Sequence, residues 1–223
     1  TGAIAQTACP AGNYTSANGS TSASDCLVTP AGSYSSPGSA PIPCPVGTYQ
    51  PNTGQSSCLD ATAGNYVAGS GAISQTACAA GTYQPNTGQS SCLNADPGHY
   101  SGSGAANQTA CPAGTYNPNN ASTSISACTD TDAGHYSGSG AATQTACAPG
   151  TYQPSTGQSS CLDATAGNYV AGSGATSQTS CALGTYQPSD GQSSCLNADL
   201  HHYVVTTGAT AQTACPTATY TAN

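Results

Sequence analysis

The sequence contains no Lys, Arg, Glu, Phe, Trp or Met, and only 4% of its residues are charged. Without a cation the chain cannot neutralise a phosphate backbone, which argues against nucleic-acid binding. The net charge of −8 rests on Asp alone and disfavours anionic membrane surfaces for the same reason. No run of about eighteen apolar residues occurs, so the sequence shows no membrane-inserting helix and nothing resembling a signal peptide. A secreted protein needs an export signal, and this chain therefore reads as a mature or partial product. Large aliphatic residues are few and stand singly. Burial stabilises by roughly 25 cal/mol per Å² of apolar surface, and so small an inventory does not offset the entropy of ordering the chain. Another restraint must hold the fold.

Thirteen cysteines supply it. Their frequency and regular spacing read as a disulfide framework in an oxidising, extracellular setting. A zinc site would need C-x-x-C ligand pairs, yet the nearest two cysteines are Cys44 and Cys58. Four pairs stand 14 residues apart: Cys44 and Cys58, Cys78 and Cys92, Cys147 and Cys161, Cys181 and Cys195. Bonds across these short steps, with Cys9–Cys26 and Cys111–Cys128 closing two longer loops, leave Cys215 unpaired or intermolecular. The other register joins Cys58 to Cys78, and so on along the chain. In either register, closing a loop of this size contributes about 3 kcal/mol in the chain-entropy picture.

The phrase "YQPNTGQSSCL" begins at Tyr49 and again at Tyr83, with near copies at Tyr152 and Tyr186. Tyrosines recur at steps of mostly 16 or 17 residues, and nearly all follow a glycine two places earlier. Two units alternate. The A unit reads C-x-x-G-T-Y-Q-P-x-T-G-Q-S-S-C, and the B unit reads A-x-x-G-x-Y-x-x-G-S-G-A-x-x-Q-T-A-C. Glycine before the strand permits a left-handed backbone, Tyr favours a strand, and "PNTG" and "GSGA" are turn sequences. Each unit is thus expected to form a β-hairpin, with "QSSC" as the return strand in A. No segment shows a helical apolar period.

The fold class is all-β and disulfide-rich: an elongated tandem array of hairpins of about 17 residues, with almost no helix. Irregular repeats are expected over 1–43 and 111–146, and regular ones over 44–110 and 147–214. Residues 215–223 begin an incomplete repeat. Read tail to head, Asn223 followed by Thr1 gives "CPTATYTANTGAIAQTAC". That joint suggests that successive copies complete a unit across it.

The frames "CPVGTYQPNTGQSSC", "CPAGTYNPNN" and "CPAGNYTSANGSTSASDC" resemble the ephrin-receptor-like cysteine-rich repeats. Where family members place a second cysteine soon after the closing one, "CLDA" and "CLNA" here carry Ala. Similar arrays occur in microbial extracellular surface proteins and in filamentous flagellar-hair proteins of algae. The resemblance implies an elongated extracellular module and implies no reaction.

Four sequons, at Asn13, Asn18, Asn107 and Asn120, fall in expected loops and are candidates for N-glycosylation. The abundance of Ser and Thr is compatible with O-linked sugar. Aspartates recur at Asp60, Asp163, Asp96 and Asp199. Calcium needs six to eight oxygens, so Asx turns are the simpler reading and no cofactor is expected. His99 and His135 stand where Asn65 and Asn168 stand in sister units, which marks a tolerant turn position. No nucleophile–base constellation or carboxylate pair stands out, so the chain does not read as an enzyme. Tyr49, Tyr66, Tyr83, Tyr100, Tyr152, Tyr169 and Tyr186 are expected to cover each unit's small core and stack on the next; a glycan-binding ladder is the other reading. The function expected is structural: an extracellular or cell-surface fibre that self-associates through its repeats. A stalk or ligand-binding module is the alternative.

Overall fold

The computed structural model describes residues 7–16, 20 and 22–216. The described residues are nearly all hairpin: every strand is two residues long, and each pairs antiparallel with one partner. The chain divides into two compact units. The first comprises Thr1–Asp96, Tyr100–Thr109 and Asn120–Ser124; the second comprises Pro97–His99, Ala110–Asn119 and Ile125–Asn223.

In the first unit, the strand Thr48–Tyr49 pairs with Leu59–Asp60, and Asn65–Tyr66 pairs with Thr76–Ala77. Two residues per strand is short for a sheet, so the turns carry much of the definition. The turn Pro45–Thr48 closes with Thr48 N–H donating to the Pro45 carbonyl at 3.1 Å. Gly47 sits third in it with φ of 83°, the left-handed value that a type II turn demands. The Thr48 hydroxyl donates to the same carbonyl at 2.8 Å. The second unit repeats this entry at Thr151 and Thr185.

The segment "QSSC" is not a return strand. In every YQP hairpin the return strand starts after the cysteine, at Leu59, Leu93, Leu162 and Leu196. The reason lies in Gln50, whose side chain crosses the loop: its amide donates to the Ser57 carbonyl at 2.9 Å, and its oxygen accepts from Asn52 N–H at 3.1 Å. Those bonds hold Ser57 in a bend and postpone strand pairing to Leu59, opposite Tyr49. Two 3₁₀ turns, Ala23–Asp25 and Ile125–Ala127, lie in the two long disulfide loops. The first has Ser22 and Asp25 as a capping box.

The core is made of small residues. Cys44, Ala61, Cys78 and Ala95 in the first unit, and Thr131, Cys147, Ala164 and Cys181 in the second, are wholly buried. Each sits between a return strand and the next entry turn. The residue after the tyrosine forms a second buried row in most hairpins: Ser35, Gln50, Val67 and Gln84, then Ser137, Gln153, Val170 and Gln187. The tyrosines from Tyr14 to Tyr186 are half-buried, and Tyr203 is exposed. They flank the core rather than fill it, because glycine and alanine contacts bring the backbones too close to admit a ring between them.

Candidate functional site

The features that recur with every repeat are contacts between hairpins, and these are built largely from backbone. Within the first unit Gly47 N–H donates to the Val67 carbonyl of the following hairpin at 2.8 Å, and Gln50 N–H to Ala72 O at 3.0 Å. Gly71 N–H donates to Cys44 O at 2.8 Å, and Gly88 N–H to Ala61 O at 2.8 Å. Within the second unit the same bonds run from Gly150 to Val170, Gln153 to Ala175, Gly174 to Cys147 and Gly191 to Ala164. Each hairpin is thereby tied to the next and to the next but one. A buried backbone group left unpaired costs about as much as a lost hydrogen bond, so each tie fixes its neighbours' register.

Closure of the individual hairpin takes two forms. In A hairpins it is a disulfide: Cys9–Cys26, Cys44–Cys58, Cys78–Cys92, Cys111–Cys128, Cys147–Cys161 and Cys181–Cys195, with Cα separations of 5.7 to 5.8 Å. The opening cysteine is buried and the closing one half-buried. Cys215 is exposed and has no disulfide partner among the described residues.

In five B hairpins a glutamine stands just ahead of the return strand, where the A hairpin has its closing cysteine; the hairpin that pairs Ser33–Tyr34 with Ile42–Pro43 has Pro41 there instead. Gln75 Oε1 accepts from Thr62 N–H at 2.7 Å, and its amide donates to the Thr62 hydroxyl at 3.0 Å. Gln108 grips Asp96 by both its backbone and carboxylate, each at 2.7 Å. Gln144 does so with Asp132 at 2.7 and 2.6 Å. Gln178 clamps Thr165 at 2.8 and 3.1 Å, and Gln212 clamps Asp199. Each clamped residue follows the small residue that takes the opening cysteine's place, which is wholly buried at Ala61, Ala95, Thr131 and Ala164 and half-buried at Ala198. These glutamines were not singled out from the sequence, although their fixed place in "QTAC" and "QTSC" was the available signal.

The aspartates thus serve the fold in more than one way. Asp96, Asp132 and Asp199 accept glutamine amides. Asp190 Oδ1 accepts from Ala166 N–H at 2.7 Å, one hairpin earlier. Asp60 and Asp163 lie against the turn glycines Gly88 and Gly191. Among the described residues no three His, Cys or Asp side chains gather as a metal site. The rings of His99, His135 and His202 each place Nδ1 within hydrogen-bonding distance of the carbonyl two residues back. His201, at the place of the glycine before tyrosine, takes φ of 65°.

Of the sequons, Asn107 is exposed in a bend and Asn120 is exposed, while Asn13 is half-buried in the strand Asn13–Tyr14. Asn18 and the joint between Asn223 and Thr1 lie outside the described residues. No described helix is long and apolar enough to cross a membrane.

A family model described as tyrosine-protein kinase ephrin type A/B receptor-like matches residues 32–78, 134–181 and 179–215, more than half of the chain. The chain belongs to the ephrin-receptor-like repeat family. The first two matched stretches open on the glycine before a B-hairpin tyrosine (Gly32, Gly134) or its neighbour and end on the opening cysteine of an A hairpin (Cys78, Cys181). These ephrin-receptor-like repeats are disulfide-rich hairpins of the kind found in extracellular modules. No curated protein matches the chain.

Proposed function

We propose that this chain is a structural segment of an extracellular fibre or cell-surface appendage, glycosylated and assembled through repeat-to-repeat contacts. The observation that carries the reading is the periodic backbone ladder, in which every hairpin bonds to its next and next-but-one neighbours within each unit. A ladder of that kind uses the same donors and acceptors at every step, so a like hairpin of another copy offers the matching groups. The six disulfides close hairpins without joining one hairpin to another, and this leaves the contacts between hairpins wholly non-covalent. Exposed residues such as Leu59, Leu93, Leu162 and Leu196 recur at one place in each YQP hairpin, giving lateral contacts an apolar component.

A second reading, a ligand-binding module, draws support from a shallow groove in the second unit. Tyr136, Ala148, Thr151 and Ser159–Cys161 line it, an aromatic face beside hydroxyls.

Sedimentation and electron microscopy of the oxidised protein over a range of concentrations test the fibre reading. Concentration-dependent filaments are expected. A chain that stays monomeric at millimolar concentration, and that labels no fibre on its native source, would overturn it.

A further inference from the structure

A and B hairpins differ in one mechanical respect. Residues between Cys44 and Cys58 are enclosed by a covalent bond and cannot lengthen while it stands. Residues between Cys58 and Cys78 are enclosed by none; the pairing of Asn65–Tyr66 with Thr76–Ala77, the Gln75–Thr62 clamp and the backbone ladder, all non-covalent, hold their B hairpin shut. In the second unit the Gln178–Thr165 clamp holds the run between Cys161 and Cys181 in the same way. Covalent and non-covalent closures therefore alternate along the sequence.

We propose that the B hairpins are the extensible elements of this chain, and that the glutamine clamps set the load at which each one opens. Under tension the A hairpins stay closed as bonded loops, and the B hairpins open between them. A run such as Cys58 to Cys78, roughly 20 residues, spans up to about 70 Å when drawn out. The clamp suits a reversible element. Both of its bonds join side chain to a residue 12 or 13 positions away, and they re-form when the backbone returns. The disulfides on either side keep the flanking loops folded as templates. Where the clamp holds Asp in place of Thr, the acceptor is charged and the bond stronger, so hairpins at Asp96, Asp132 and Asp199 open after those at Thr62 and Thr165. This inference rests on the structural reading above, but its test uses single chains and does not depend on whether they assemble.

The test is single-molecule stretching of the full oxidised chain. Separate steps of up to about 70 Å are expected. Gln75→Ala together with Gln178→Ala should lower the force of two steps and leave the others unchanged. Ala61→Cys with Gln75→Cys, its new bond verified by peptide mapping, should remove one step, and reduction should restore it. Unchanged forces in the alanine variant, or an unchanged step count in the bonded cysteine variant, would overturn the proposal. Hydrogen exchange on Gln75→Ala gives an independent reading if the cysteine variant mispairs. The Thr62 and Cys78 amides should exchange at least about tenfold faster, with the Thr48 amide of the neighbouring A hairpin unchanged. Equal acceleration in both kinds of hairpin, or none in either, would also sink it.

Discussion

The Cβ that Gly47 lacks would lie 2.1 Å from the carbonyl oxygen of Gly88, two hairpins further along the chain. Gly150 and Gly191 meet in the same way at 2.2 Å in the second unit. A glycine at the entry turn of one hairpin is therefore covered by the turn of the next but one. The requirement is doubled, since the same glycine also needs a left-handed backbone.

Gly47→Ala should accordingly be far worse than an ordinary glycine substitution. Strain at positive φ alone contributes about 1 kcal/mol or more, and the backbone oxygen cannot move aside without breaking the ladder. Gly69→Ala is the control, because its Cβ would meet nothing within 4 Å and its φ is not positive. Chemical denaturation should show a large drop for the first and a change within roughly 0.5 kcal/mol for the second.

Gln50→Ala should remove both bonds across the YQP loop and strand the Ser57 carbonyl. The loss expected is about 1–3 kcal/mol. Gln55→Ala, whose amide reaches only Thr53 O at 3.2 Å, should cost about 0.5 kcal/mol or less. Equal effects in the two variants would refute the assignment of Gln50 as the loop's brace.

Ser101 and Ser137 occupy matching places after their tyrosines and behave differently. Ser137 Oγ donates to Thr115 O at 2.9 Å, whereas the buried Ser101 Oγ finds no partner among the described residues. Ser137→Ala should thus destabilise by about 1 kcal/mol, and Ser101→Ala should be neutral or slightly stabilising. Paired denaturation curves decide the point.

Six linked peptides should come from non-reducing digestion, one for each bridge between Cys9 and Cys195. Trypsin has no site in the chain, so pepsin is the protease to use. Recovery of Cys58 joined to Cys78 would contradict the structure. Reduction should abolish cooperative unfolding, since each closure contributes about 3 kcal/mol and the buried residues are small.

If the chain is glycosylated as proposed, Asn107→Gln should lower the mass by one N-glycan. Both Asn107 and Thr109 of this sequon are exposed, whereas Ser122 of the Asn120 sequon is buried. An unchanged mass in protein from its native source would exclude this site.

The amino-acid sequence by itself determined the hairpin array. The Gly-x-Tyr entries, the Pro- and Gly-bearing turns and the absence of a helical period are local properties, and local backbone preferences act through the residues that carry them. Poverty in large apolar residues likewise required cysteine to hold the fold. Two things needed the tertiary structure. Cysteine spacing is compatible with two registers, and only the folded backbone, with Cα atoms 5.8 Å apart in Cys44–Cys58, decides between them. The glutamines of "YQP" and "QTAC" look like interchangeable polar residues in one dimension. Their roles arise where loop carbonyls and amides converge, Gln50 on Ser57 and Gln75 on Thr62, and that convergence is set by neighbouring hairpins rather than by the glutamine's own surroundings in sequence.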